Sequence, residues 1–159
     1  MIIAICPGSF DPIQIGHLDI IKRASMLTDK VYVVIGVNPD KKALFTIKQR
    51  MDFIKKVTKG IDNIEIAYNE GLTVDYAKKV GAKLIIKGYR NDDDLKYEQD
   101  MAIINKRLAP GIDTLILKAS LEYVNISSSL IKDTASLDEL SKYLPKEIQK
   151  SVFKVLRHK

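Results

Sequence analysis

The sequence has no tryptophan, one cysteine and five prolines in 159 residues. A lone thiol, Cys6, cannot close an internal disulfide, so a reducing compartment is expected. Cys6 itself reads as a core residue. No apolar run approaches the roughly 20 residues of a membrane span. The first residues lack the basic segment and long apolar stretch of a signal peptide. A cytoplasmic protein without a membrane partner is the expectation. The P-loop pattern G-x-x-x-x-G-K-[ST] is missing, and so is the dinucleotide fingerprint G-x-G-x-x-G. The formal net charge is +6, which suggests anionic partners. The basic residues are dispersed among Asp and Glu, and RNP-type aromatics are absent, so nucleic acid is not the expected partner. With no linker, repeat or low-complexity segment, one domain over 1–159 is expected.

Strand and helix signals alternate along the chain. Apolar runs at 2–6, 31–37, 63–67, 84–86 and 114–117 read as strands. Between them lie helical periodicities: Ile20, Ile21, Ala24 and Leu27, then Ile47, Met51 and Ile54, then residues 73–80. Thr46 with Gln49 is a capping-box pair, and Gly81 is a helix stop. A further helix over 95–108 places Tyr97, Met101, Ile104 and Leu108 on one face. A short helical region over about 136–159 ends the chain, with Pro145 near a first turn and Ile148, Val152 and Val155 facing in. Near-continuous apolar strands alternating with helices predict an α/β, Rossmann-like fold, a five-stranded parallel sheet flanked by helices. Ligands in such sheets bind at the carboxyl ends of the strands. The loops 7–16, 38–45, 68–72, 87–94 and 118–127 should therefore rim one cleft.

The most informative stretch is 7–17, Pro-Gly-Ser-Phe-Asp-Pro-Ile-Gln-Ile-Gly-His. A buried strand feeds a small-residue loop, and the loop feeds a helix. That geometry aims free N–H groups and a helix dipole at one point, which favours phosphate. His17, in the first helical turn, sits beside it. The other loops add Lys41, Lys42, Lys87, Gly88, Arg90 and the run Ser127-Ser128-Ser129, which precedes a helix and reads as a second anion site. Converging cations at strand ends make a polyphosphate site. The Asp92-Asp93-Asp94 run reads as a loop and helix cap, and His158 as a solvated tail.

Pro-Gly-Ser-Phe-Asp-Pro with Gly16-His17 resembles the signature of nucleotidyltransferases that carry an H-x-G-H motif. Asn38-Pro39-Asp40-Lys41-Lys42, Ile86-Lys87-Gly88-Tyr89-Arg90, Tyr97-Glu98 and Ile126-Ser127-Ser128-Ser129-Leu130-Ile131-Lys132 narrow the resemblance to the bacterial phosphopantetheine adenylyltransferases. The resemblance implies reversible transfer of the adenylyl group of ATP to 4′-phosphopantetheine, giving dephospho-coenzyme A and pyrophosphate. It implies that His17 stabilises the transition state at the α-phosphate. Ser9, Lys41, Thr73 and Lys87 would hold phosphopantetheine. Ser9, Phe10, His17, Gly88, Tyr89, Arg90 and Glu98 would contact ATP, together with Tyr123, Val124, Asn125, Ile126, Ser127, Ser128 and Ser129. It further implies Mg²⁺ carried with ATP, a homohexamer and feedback inhibition by coenzyme A. No metal-ligand cluster is visible in the sequence.

Four positions depart from the family pattern. Gln14 stands where the superfamily has a first His and this family has Thr, Lys87 replaces Arg, Tyr123 replaces Trp, and Ala43 replaces Pro. A lysine offers a point charge in place of a bidentate fork. No general base is required, because a phosphate monoester with a second pKa of about 6 is largely dianionic at neutral pH. Two other readings stand beside this one: a sister nucleotidyltransferase acting on nicotinate mononucleotide or glycerol phosphate, and a non-catalytic nucleotide-binding module.

Overall fold

The computed structural model describes residues 1–133 and 136–158; Lys159, the end of the expected C-terminal helical region, lies outside the described residues. Five strands, β1 (Ile3–Gly8), β2 (Lys30–Gly36), β3 (Ile64–Asn69), β4 (Leu84–Tyr89) and β5 (Asp113–Lys118), form one sheet in the order β3-β2-β1-β4-β5. All four pairings are parallel. The helices between them are α1 (Ile15–Leu27), α2 (Ile47–Thr58), α3 (Thr73–Val80) and α4 (Asp92–Leu108). After β5 come a 3-10 turn (Leu121–Tyr123), α5 (Ser128–Lys132), α6 (Leu137–Leu140), a second 3-10 turn (Lys146–Ile148) and α7 (Gln149–Arg157).

Strand alternation sends two sets of side chains to opposite faces. Ala4, Cys6, Val33, Ile35 and Ile86 join the larger core with Ile21, Phe53, Ile54, Leu140 and Val152 from α1, α2, α6 and α7. Ile5, Val34 and Ile85 face a smaller core with Val74 and Ala77 of α3 and Ala109 and Ile112 beyond α4. Both faces are covered, as parallel sheets require.

Several local expectations hold. Thr46 and Gln49 cap α2 reciprocally, at 3.1 and 2.9 Å. Gly81 ends α3 at φ 77°, the left-handed region that glycine adopts without a Cβ penalty. Asp92, Asp93 and Asp94 form the first turn of α4 behind the Asn91 cap. Ile148 and Val152 are fully buried.

Other expectations need correction. β1 runs on through Pro7 and Gly8, which pair with Val34 and Ile35. The β1–β4 ladder stops at Ile5↔Ile85, so Pro7 lies beyond it and its missing N–H breaks no bond there. Ile54 of the expected α2 stripe is buried and Met51 packs against the core, but the fully buried face is completed by Arg50, Phe53 and Val57 rather than by Ile47. In α1 it is Leu18, Ile21 and Ala24, and Leu27 is exposed. The apolar face of α4 exists, but Tyr97, Ile104 and Leu108 are 62, 46 and 49 % exposed, so the chain's own core leaves it uncovered.

Candidate active site

The strand order reverses between β1 and β4. From β1 the chain builds outward through β2 and β3, then returns to lay β4 and β5 on the other side. A crevice opens at such a switch point, outside the carboxyl ends of the strands. Here it is a cleft of about 520 Å³. Its walls come from β1 and the turn after it, from the loops after β2, β4 and β5, and from α5. The loop after β3 is not among the walls. It borders a separate groove with Tyr68, Asn69, Glu70 and Gly71, because β3 is an edge strand two places from the switch point. Four of the five expected loops therefore rim the cleft.

The floor is the first helix start. Gln14 is the N-cap of α1, and its side-chain oxygen accepts from the backbone N–H groups of Gly16 and His17. His17 Nδ1 in turn accepts from the backbone N–H of Gln14 at 3.2 Å. A backbone amide can only donate, so Nδ1 carries no proton and the hydrogen of the neutral ring lies on Nε2. Burial, Lys87 and Arg90, in that order, push the His17 pKa down to about 4. The residue is therefore a neutral donor at physiological pH and adds no positive charge of its own. The Phe10 ring packs against it edge-to-face, with centroids 5.1 Å apart. Phe10 has φ 45°, and its ring lies 3.1 Å from where a Cβ on Gly8 would stand. A Cβ at Gly8 would press on this ring, so the glycine leaves room for it.

The cations line walls on both sides of β1. Lys87 Nζ reaches Pro7 O at 3.4 Å and Glu98 Oε1 at 3.7 Å. Burial raises the Glu98 pKa, while Lys87 pulls it back. Arg90 Nε donates to Asp94 Oδ2 at 3.1 Å, and its Nη1 donates to Ile126 O at 3.2 Å, which ties β4 to the last loop. Gly88 lets α1 approach the sheet: a Cβ there would stand 2.9 Å from Ile20 Cγ1. Lys41 lines the wall after β2 and is exposed.

The serine run is used differently from the sequence expectation. α5 is a five-residue turn, too short for a helix-dipole site. Ser127 Oγ caps it by accepting from Leu130 N at 3.2 Å, and Ser128 Oγ donates to Pro12 O at 3.1 Å. All three serines still face the cleft, as do Tyr123 and Ile126. Val124 and Asn125 are not among the lining residues, and Asn125 is exposed. Thr73 lies in a neighbouring cavity of about 260 Å³, which shares Pro7, Gly36, Val37 and Asn38 with the cleft. Ser9, Phe10, His17, Gly88, Tyr89, Arg90, Lys87 and Glu98 come together in one wall system.

Asp11, Arg50 and Lys132 also line the cleft; in the sequence, Asp11 and Lys132 stand within quoted motifs without an assigned role, and Arg50 is not singled out. Asp11 and Arg50 are each only 6 % exposed. A charged residue inside the apolar stripe of α2 was the available signal for Arg50. Cys6, at the cleft floor, has its pKa pushed up to about 12 by burial, so the thiol is inert. Among the described residues there is no group of three or more His, Cys, Asp or Glu placed to hold a metal, and no helix is long and apolar enough to cross a membrane.

Comparison with known proteins agrees with this geometry. Residues 5–134 match the cytidylyltransferase-like family model. The chain is 49 % identical over 146 residues, 91 % of each sequence, to a phosphopantetheine adenylyltransferase of Caldanaerobacter subterraneus subsp. tengcongensis. It is 48 % identical to that of Clostridium tetani, with 100 % of both sequences covered. Among solved structures, Plasmodium falciparum nicotinic acid mononucleotide adenylyltransferase is similar in fold, with a TM-score of 0.66 and 17 % identity over 98 % of this chain and 94 % of that one.

Proposed function

We propose that this chain, which belongs to the phosphopantetheine adenylyltransferases within the cytidylyltransferase-like family, transfers the adenylyl group of ATP to 4′-phosphopantetheine. The products are dephospho-coenzyme A and pyrophosphate, in a reversible step of coenzyme A biosynthesis. Near half-identity along the whole chain to proteins of that name carries the reading, and it favours this substrate over nicotinate mononucleotide or glycerol phosphate.

The geometry suits the chemistry. A phosphate oxygen of phosphopantetheine forms a bond to the α-phosphorus of ATP. The bond from that phosphorus to the bridging oxygen breaks, and its electron pair leaves with pyrophosphate. No proton has to be removed from the nucleophile, so alignment and charge stabilisation carry the rate. His17 Nε2–H is a preorganised neutral donor for an α-phosphoryl oxygen. Arg90 supplies charge for the leaving phosphates, with Gly88, Tyr89, Glu98 and the segment 123–129 about the nucleotide. Ser9, Lys41 and Lys87 receive the phosphopantetheine phosphate. The side cavity holding Thr73, which shares Pro7, Gly36, Val37 and Asn38 with the cleft, takes the pantetheine arm.

The cleft carboxylates are already engaged: Asp11 by two N–H groups, Asp94 by Arg90 and Glu98 by Lys87. That donor set fits a Mg²⁺ that would arrive on the triphosphate and would supply positive charge for the leaving pyrophosphate. The uncovered stripe of α4 fits self-association, in the homohexamer the family resemblance suggests. Coenzyme A carries both halves of the product and would compete for the same cleft as a feedback inhibitor. The unpaired cysteine fits a cytoplasmic setting.

Pyrophosphate release from ATP, 4′-phosphopantetheine and Mg²⁺ tests the assignment. Turnover is expected with this pair. Turnover only with nicotinate mononucleotide, or only with cytidine triphosphate and glycerol phosphate, would overturn it.

A further inference from the structure

Asp11 and Arg50 are two buried charges on either side of the turn that carries Ser9. Asp11 Oδ2 accepts from Leu44 N at 2.8 Å, and Oδ1 accepts from Phe45 N at 2.9 Å. The same carboxylate lies 3.5 Å from Lys132 Nζ at the end of α5. From α2, Arg50 Nη1 donates to Ser9 O at 3.1 Å. Three pieces of the cleft thus meet on two side chains: the Ser9 turn, the loop that carries Lys41, and α5.

The price of this arrangement is visible. Arg50 is only 6 % exposed, and among the described residues its Nε has no hydrogen-bond partner. A buried, incompletely paired guanidinium costs stability. A leucine or methionine at that point of the α2 stripe would pack with Phe53, Ile54 and Val57 without that cost. The charge is therefore explained by the site and not by the core.

We propose that Asp11 and Arg50 are positioning residues that hold the Lys41 loop, the Ser9 turn and α5 in one register, so that the two reacting phosphates meet in line. The proposal rests on the adenylyl-transfer reading above. Small misplacement of reacting groups costs about a hundredfold in rate, so the effect belongs to kcat.

Steady-state kinetics of Asp11→Asn, Arg50→Met and Arg50→Lys, with each substrate varied in turn, test this beside Val57→Ala, a core control on the same helix. Asp11→Asn and Arg50→Met should lower kcat about tenfold to a hundredfold per folded molecule, with both KM values within about threefold. Arg50→Lys should recover part of the loss. Arg50→Met should melt no lower than Val57→Ala, which should keep its kcat. Unchanged kcat in both Asp11→Asn and Arg50→Met, or a loss confined to KM, would overturn the proposal. A second readout does not depend on turnover: amide exchange across residues 38–45 should quicken in Asp11→Asn, whose carboxylate holds the Leu44 and Phe45 amides, but not in Val57→Ala. Unchanged protection there would overturn the brace even if the wild-type chain acts on other substrates. A wild-type chain inactive on ATP and 4′-phosphopantetheine would count against the substrate assignment alone.

Discussion

Gln14 and His17 cap each other. The Gln14 side chain accepts from the His17 N–H, and His17 Nδ1 accepts from the Gln14 N–H at 3.2 Å. The main-chain amide of Gln14 therefore fixes the tautomer of His17. Helix capping and imidazole orientation are here the same pair of hydrogen bonds.

The first prediction concerns that proton. Nitrogen NMR of a His158→Asn variant leaves His17 as the one imidazole, since the chain has two histidines. It should show a neutral Nε2–H ring from pH 8 to about 5, with protonation near about 4. In the unfolded chain an ordinary histidine takes its proton at about 6.5. Between those values the unfolded state binds more protons, so this group removes stability as pH falls from about 6.5 towards about 4. An Nδ1–H tautomer, or titration near the ordinary value, would contradict the geometry.

The second separates donor from cap. His17→Ala should lower kcat at least about a hundredfold, with ATP affinity little changed, because one preorganised donor is worth about 3 kcal/mol. Gln14→Ala should cost about 1 kcal/mol of stability as a lost N-cap and lower kcat by less than His17→Ala does. Urea melts and kinetics on both variants measure this. Equal losses of kcat would show that the imidazole acts only as part of the cap.

The third uses the Lys87–Glu98 pair. Lys87→Ala should cost about 1.5–3 kcal/mol in kcat/KM, mainly on the phosphopantetheine term. Lys87→Arg should stay within about tenfold. Because Glu98 Oε1 holds Lys87 Nζ at 3.7 Å, Glu98→Gln should also register on the phosphopantetheine term. Varying each substrate separately decides it. An effect of Lys87→Ala on ATP affinity alone would place the lysine on the wrong substrate.

The fourth is a packing test. Gly88→Ala should destabilise by about 1–3 kcal/mol, because its Cβ meets Ile20 Cγ1 at 2.9 Å. Adding Ile20→Ala should relieve part of that, so the double variant should be more stable than the two single losses summed. Thermal melts of the four proteins give the coupling; strict additivity would remove the contact as the cause.

What the sequence disclosed follows the range of the interaction. The Thr46–Gln49 box, the bounds of α3 and the Gly81 stop depend on residues within one helical turn, and all are where periodicity and capping put them. The parallel sheet and the convergence of Gly8, His17, Lys87 and Arg90 follow from alternation and the strand-end rule. Arg50 was hidden because its partner, Ser9 O, is 41 residues away. Asp11 was visible within its motif, but its role was not, because both its acceptor bonds go to amides more than 30 residues on. Thr73 falls in a side cavity because strand order, invisible in a single sequence, sets β3 at the sheet edge.

The strand order also sets a sequence of events during synthesis. β1 emerges first from the ribosome but occupies the centre of the sheet, with β2 on one side and β4 on the other. It gains its second neighbour only when residues 84–89 appear. Until then one edge of the nascent sheet stays open to other chains. The pocket is finished later still, when Ser128 reaches back to Pro12 across 116 residues. Loop closure on that scale comes late. A fragment stalled before that point holds the histidine but only part of the cleft.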